Sequence, residues 1–130
     1  RPNDPGVARS GCTALLTIAE DGAFRAQAVA SIGGAAAAVN AILGHLSEKA
    51  VAATGSAALT AIAAGGESCV QAVVDAGGVE AVLAALQAHL SEVLVVTAGC
   101  GMLRSVAEEK AFAHLVAEAG GVAAAVAALE

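Results

Sequence analysis

Residues 76–109 read AGGVEAVLAALQAHLSEVLVVTAGCGMLRSVAEE. A glycine pair opens an apolar stretch, a short polar turn at 89–92 interrupts it, and a second apolar stretch carries Gly99 near its middle. In both stretches the apolar residues recur at helical spacing, and no strand-like alternation competes. The same features return in the same order along the chain. The doublets Gly33-Gly34, Gly77-Gly78 and Gly120-Gly121 lie 44 and then 43 residues apart, and the tetrapeptide HLSE starts at His45 and again 44 residues on at His89. Gly11 in SGCTALLTIAE, Gly55 in TGSAALTAIAA and Gly99 in AGCGMLRSVAE are spaced by 44 twice. Three independent markers share one period, so the chain is one unit written three times. The residue missing from the last period falls between Ala107 and Gly120.

Each unit reads as three helices, giving units of about 1–44, 45–88 and 89–130 within a single domain. The longest helix is expected to begin near Ser47 and Ser91, with serine as the cap and Glu48 or Glu92 in the first turn, where the positive helix end favours an acid. In the first unit Asn3-Asp4-Pro5 takes that place, an Asx cap followed by a proline whose missing N–H costs nothing there. The doublets are expected to end a short helix and start the next. Gly11, Gly55 and Gly99 sit inside the long helix, where glycine costs about 1 kcal/mol against alanine. A close crossing by a neighbouring helix is the expected cause.

Composition agrees with this reading. The chain is 58% hydrophobic but only 2% aromatic, so the core must be built from Ala, Val, Leu and Ile with helix backbones in close approach. At 130 residues the chain is long enough to bury roughly two thirds of the surface its unfolded form exposes. A net charge of −6 with six Lys and Arg disfavours DNA, RNA and anionic membranes, which need a basic face. Residues 26–47 carry no formal charge, but Gln27, Gly33, Gly34, Asn40 and His45 are poor company for lipid, so no membrane span is expected. Cys12, Cys69 and Cys100 are odd in number and include no CxxC pair, which fits a reducing intracellular compartment, the cytoplasm foremost.

The glycine doublet, the apolar helix after it, the polar turn and the G-C/S-x-A/M-L-x-x-I/V-A helix together resemble the armadillo repeat over essentially the whole chain. The period also lies within the range of about 40–47 residues shared with HEAT repeats, but the doublet and the AL-x-x-IA ending fit armadillo better. The resemblance implies an all-α fold, a right-handed α-solenoid of about three three-helix repeats. It further implies a binding scaffold that holds a partner along the groove of its long third helices. In the importin-like branch that groove carries ladders of Trp and Asn. Those places fall here on Thr13, Ala57 and Gly101, and on Thr17, Ala61 and Ser105, so recognition of nuclear localisation signals is not expected. The basic groove of catenin-like members is missing too, with Arg9 and Arg104 the only nearby cations.

The stripe expected to face the groove is Ser10, Thr13 and Thr17, then Thr54, Ala57 and Ala61, then Ala98, Gly101 and Ser105, with Arg104 beside it. Such a surface is shallow, nearly neutral and suited to a packed helix or another subunit rather than to a charged peptide. Both ends of the array lack polar capping units, which points to further repeats, a partner, or self-association through apolar ends.

Catalytic motifs are missing: there is no G-x-S-x-G, no P-loop, no H-E-x-x-H and no complete G-x-G-x-x-G. No enzymatic activity, cofactor or metal is expected. His45 and His89, one unit apart, would stand on the order of 10 Å from each other, too far to share a zinc ion. They read as helix-end residues, while His114 has no counterpart. Cys12 and Cys100 share a position with Ser56, which asks for a small residue in a packed site, whereas Cys69 is expected to be more exposed. Glu20, Asp21, Glu108 and Glu109 read as a solvated edge. The expected function is a non-enzymatic protein–protein interaction scaffold, with a small structural subunit buried in a larger assembly as the alternative.

Overall fold

The computed structural model describes residues 4–130. Among the described residues the chain is entirely helical, with nine α-helices packed on one another: α1 (Pro5–Ala19), α2 (Ala23–Ser31), α3 (Gly34–Gly44), α4 (Lys49–Ala63), α5 (Glu67–Asp75), α6 (Gly78–Ala88), α7 (Val93–Ala107), α8 (Ala113–Glu118) and α9 (Gly121–Leu129). Helix length follows the sequence period. The helices α1, α4 and α7 have 15 residues each, α2 and α5 have nine, and α3 and α6 have 11.

The long helices begin differently from the sequence expectation. Asp4 caps α1, its carboxylate accepting from the Gly6 N–H at 2.8 Å and the Val7 N–H at 3.2 Å, and Pro5 occupies the first turn; Asn3 lies outside the described residues. One period on, the capping residues are Glu48 and Glu92, not Ser47 and Ser91. Their backbones are extended like that of Asp4, but neither makes a side-chain cap bond. Two physical reasons combine. The extra methylene of glutamate overreaches the amides that aspartate meets, and the serines belong to a preceding turn closed by the Glu48 N–H on the His45 carbonyl at 2.9 Å and the Glu92 N–H on the His89 carbonyl at 3.0 Å.

Each glycine doublet performs two tasks. Gly33, Gly77 and Gly120 take left-handed backbone conformations, with φ of 89°, 87° and 99°, and so turn the short helix sharply into the next: α2 and α3 meet at 71°, α5 and α6 at 65°. The second glycine lets the chain fold back on itself. A Cβ on Gly78 would stand 2.6 Å from Val73 Cγ1 and 2.8 Å from its carbonyl oxygen, and Val29 and Val116 crowd Gly34 and Gly121 in the same way. The charge-free stretch 26–47 is therefore broken across α2 and α3, and no single helix is long and apolar enough to cross a membrane.

At the centre, α4 packs most extensively against α1 and α7, with α3 and α6 behind it. Leu59 and Ile62 of α4, Ile42 of α3, Leu86 of α6 and Met102 of α7 are fully buried, and each such side chain contributes about 1.5–3 kcal/mol of transfer free energy. Ala38, Ala52, Ala58, Ala81 and Ala85 are fully buried among them, the small residues that let the helices approach. The crossing expected at the mid-helix glycines exists at two of three: a Cβ on Gly55 would lie 2.5 Å from Ile42 Cγ1, and one on Gly99 would lie 2.8 Å from Leu86 Cδ2. A Cβ on Gly11 would meet nothing within 4 Å among the described residues.

The last unit departs from the other two at α8, which has only six residues. The turns before α2 and α5 depend on Gly22 and Gly66, with φ of 131° and 128°, values an L side chain rarely adopts. The equivalent position in the third unit is Lys110. Without that turn, the segment between α7 and α8 runs on to Phe112 before a helix starts, and this is the region where the sequence is one residue short.

Candidate functional site

The ten residues expected to face a partner all lie on the long helices: Ser10, Thr13 and Thr17 on α1, Thr54, Ala57 and Ala61 on α4, and Ala98, Gly101, Arg104 and Ser105 on α7. Some of them line different hollows of the surface. Ala57, Ala61, Ala98 and Gly101 line a trough of about 550 Å³ beside the C-terminal half of α4, together with Leu16, Thr60 and Thr97, and Glu20 stands at its edge. Thr54 belongs to a second hollow of about 470 Å³ at the opposite half of α4, with Arg9, Lys49, Glu92 and Leu94. Ser10, Thr13, Thr17 and Ser105 line neither of these, and Arg104 borders a third hollow of about 260 Å³ between α7 and α9.

The trough is a direct product of composition. Alanine and glycine on α4 and α7 leave room between helices that larger side chains would fill, and Ala61 is buried deeply enough to form its floor. Hydroxyls add little polarity. Thr13 Oγ1 donates to the Arg9 carbonyl at 2.9 Å, Thr60 Oγ1 to that of Ser56 at 3.0 Å, and Ser105 Oγ to that of Gly101 at 3.0 Å. Such bonds to the preceding turn occupy the hydroxyl proton within the helix. Two nearby cations are paired, Lys49 Nζ standing 3.3 Å from Glu92 Oε1 and Arg104 Nε donating to Glu108 Oε2 at 3.3 Å. Glu20 at the trough and Arg9 in the second hollow form no ion pair among the described residues.

Leu16 and Thr60 were not anticipated, although the signal was present. They are the counterparts of Arg104 in the other two units, so the period applied to Arg104 reaches both. Thr97 lies one turn before Gly101 on the same helical face.

The histidines take structural places. His45 and His89 are the C-terminal caps of α3 and α6, and His89 Nε2 makes a 2.6 Å hydrogen bond with the Leu46 carbonyl one unit away. A carbonyl can only accept, so the proton sits on Nε2. Cys69, expected to be the more exposed thiol, is in fact buried. It packs where α2 meets α5, so close to Gly65 that a Cβ there would lie 2.7 Å from its Sγ. Burial pushes the Cys69 thiol above its ordinary pKa, partly offset by a hydrogen bond from the Ser68 side chain, and burial raises the Cys12 thiol as well. Ser56, at the position shared with Cys12 and Cys100, is fully buried, and its hydroxyl has no hydrogen-bond partner among the described residues. Among the described residues no group of three or more His, Cys, Asp or Glu is placed to hold a metal ion.

No protein-family model matches the chain, and no curated protein and no solved structure is significantly similar to it.

Proposed function

We propose that the chain is a right-handed α-solenoid of armadillo-type repeats acting as a non-enzymatic protein–protein interaction scaffold inside the cell. In this reading a partner's apolar segment lies in the trough along α4 between α1 and α7. One observation carries the proposal: the trough is open, walled by small side chains from α1, α4 and α7, and poor in free donors. A surface of that kind rewards shape and apolar contact and gives no foothold to a highly charged ligand.

Gly101 supplies the test, because a side chain there meets nothing within 4 Å and would project into the trough without disturbing the core. A protein captured by the wild-type chain from cell extract and lost with Gly101→Trp, at unchanged helix content, supports the proposal. Capture indifferent to Gly101→Trp contradicts it, as does turnover of a small substrate by the pure chain. The reading as a structural subunit of a larger assembly is favoured by a different observation, the exposure of Val93, Leu94, Val122 and Leu129.

A further inference from the structure

Two apolar faces, on the outer sides of α1 and α9, are exposed although their counterparts in the other units are buried. Leu129 of α9 corresponds to Ile42 of α3 and Leu86 of α6, the side chains that press on Gly55 and Gly99; those two are 0% and 1% exposed, whereas Leu129 is 88% exposed. Val122 and Val126 repeat the pattern, exposed where Val79 and Leu83 are buried. On the other side, Gly11 of α1 has the register of Gly55 and Gly99 but, among the described residues, nothing within 4 Å of where its Cβ would stand. Val7 and Ile18 flank it at 49% and 45% exposure, while Val51 and Ile62, their equivalents in α4, are at 1% and 0%.

We propose that these two faces bind each other between copies of this chain, α9 of one copy lying on α1 of the next with Leu129 seated against Gly11. The contact is already built twice within the chain, as α3 on α4 and α6 on α7, so its geometry is one the sequence can form. α8 and α9 of one copy with α1 of the next make the same three-helix group as α2–α4 and α5–α7. The hollow of about 260 Å³ lined by Cys100, Leu103, Val116, Val122 and Ala125 sits where this requires a helix. Its counterparts one unit earlier, Ser56, Leu59, Val73, Val79 and Val82, are all buried, with α7 packed on α4 and α6. Charge does not oppose the contact despite the net −6: α9 contains no charged residue and α1 contains only Arg9. The two surfaces differ, so the association is head-to-tail and leaves a free face of each kind at its ends, open to further copies. It is independent of whether the trough binds a partner.

Sedimentation of the 130-residue chain tests this. The weight-average mass should rise with concentration from the 12.4 kDa of one chain. Gly11→Leu fills the recess without touching the fold, and Leu129→Glu charges the knob; each should hold the mass at one chain with circular dichroism unchanged. An equimolar mixture of the two variants should recover a two-chain species and nothing larger, because it contains one intact face of each kind. Val122→Lys serves as a second knob-side variant. A wild-type chain that stays monomeric throughout overturns the proposal. So does association that survives Gly11→Leu or Leu129→Glu, or that the mixture fails to restore.

Discussion

Gly55 and Gly11 occupy the same place in two copies of one 15-residue helix, and their surroundings are opposite. A methyl group on Gly55 collides with Ile42, while one on Gly11 points into open space. The difference is not in the helices, which have equal length, but in what lies against them. Glycine at this phase is a record of an interface, and its worth depends on whether that interface is filled. The second glycine of each doublet behaves otherwise: Gly34, Gly78 and Gly121 are all crowded by a valine, because that contact lies inside a unit and does not wait for a neighbour.

Substitutions can break this comparison in order of expected size. Leu86→Ala removes a buried side chain and should cost about 2–5 kcal/mol, whereas Leu129→Ala, its exposed counterpart, should stay within about 0.5 kcal/mol in the monomer; chemical denaturation of both measures the ratio. Gly78→Ala forces a Cβ onto the Val73 carbonyl, and overpacking of about 1–3 kcal/mol should exceed the helix-propensity gain of about 1 kcal/mol. Gly121→Ala should act in the same direction, which distinguishes the contact within a unit from the contact between units. His89→Ala removes the tie to Leu46 and should lower stability by about 1 kcal/mol, read from the thermal midpoint. Ser56→Cys should act with the opposite sign, gaining about 1 kcal/mol by removing an unsatisfied buried hydroxyl at a position where the flanking units already carry cysteine. Lys49→Ala breaks an exposed ion pair and should change stability by less than about 1 kcal/mol, with the effect fading in salt.

The thiols add a pH dependence of defined sign. Burial raises Cys12 and Cys69 above the ordinary thiol value of 9.0 in the folded chain, so the folded state holds its thiol protons longer than the unfolded state. Stability is unaffected by them below that value and falls as pH rises above it. Urea titrations on either side of pH 9.0 should show the loss, and a Cys12→Ala, Cys69→Ala chain should lack it.

Much of this was legible in the letters. The doublets announced the sharp turns because only glycine takes a left-handed backbone cheaply, and the period predicted helices of matching length. Two kinds of detail were not legible. The cap fell on Glu48 and Glu92 rather than on serine, since a backbone turn decided where the helix began and side-chain preference could not overrule it. Which hollow each residue of the expected stripe lines was not legible either, because which residues of α4 face α1 and α7 is set by how the long helices cross, and small residues constrain that crossing weakly. Cys69 is buried for a related reason: α2 packs on α5, and Ala26 of α2 crowds the same Gly65 that Cys69 lies against, a contact between units that no local pattern carries.

The central claim, that the mid-helix glycines mark filled and unfilled copies of one interface, is tested most directly by comparing Gly55→Val and Gly11→Val in urea at a dilution where the chain is monomeric. The account predicts that Gly55→Val loses about 2 kcal/mol or more through overpacking against Ile42, while Gly11→Val equals or slightly exceeds the wild type through helix propensity. Equal effects of the two substitutions would contradict it.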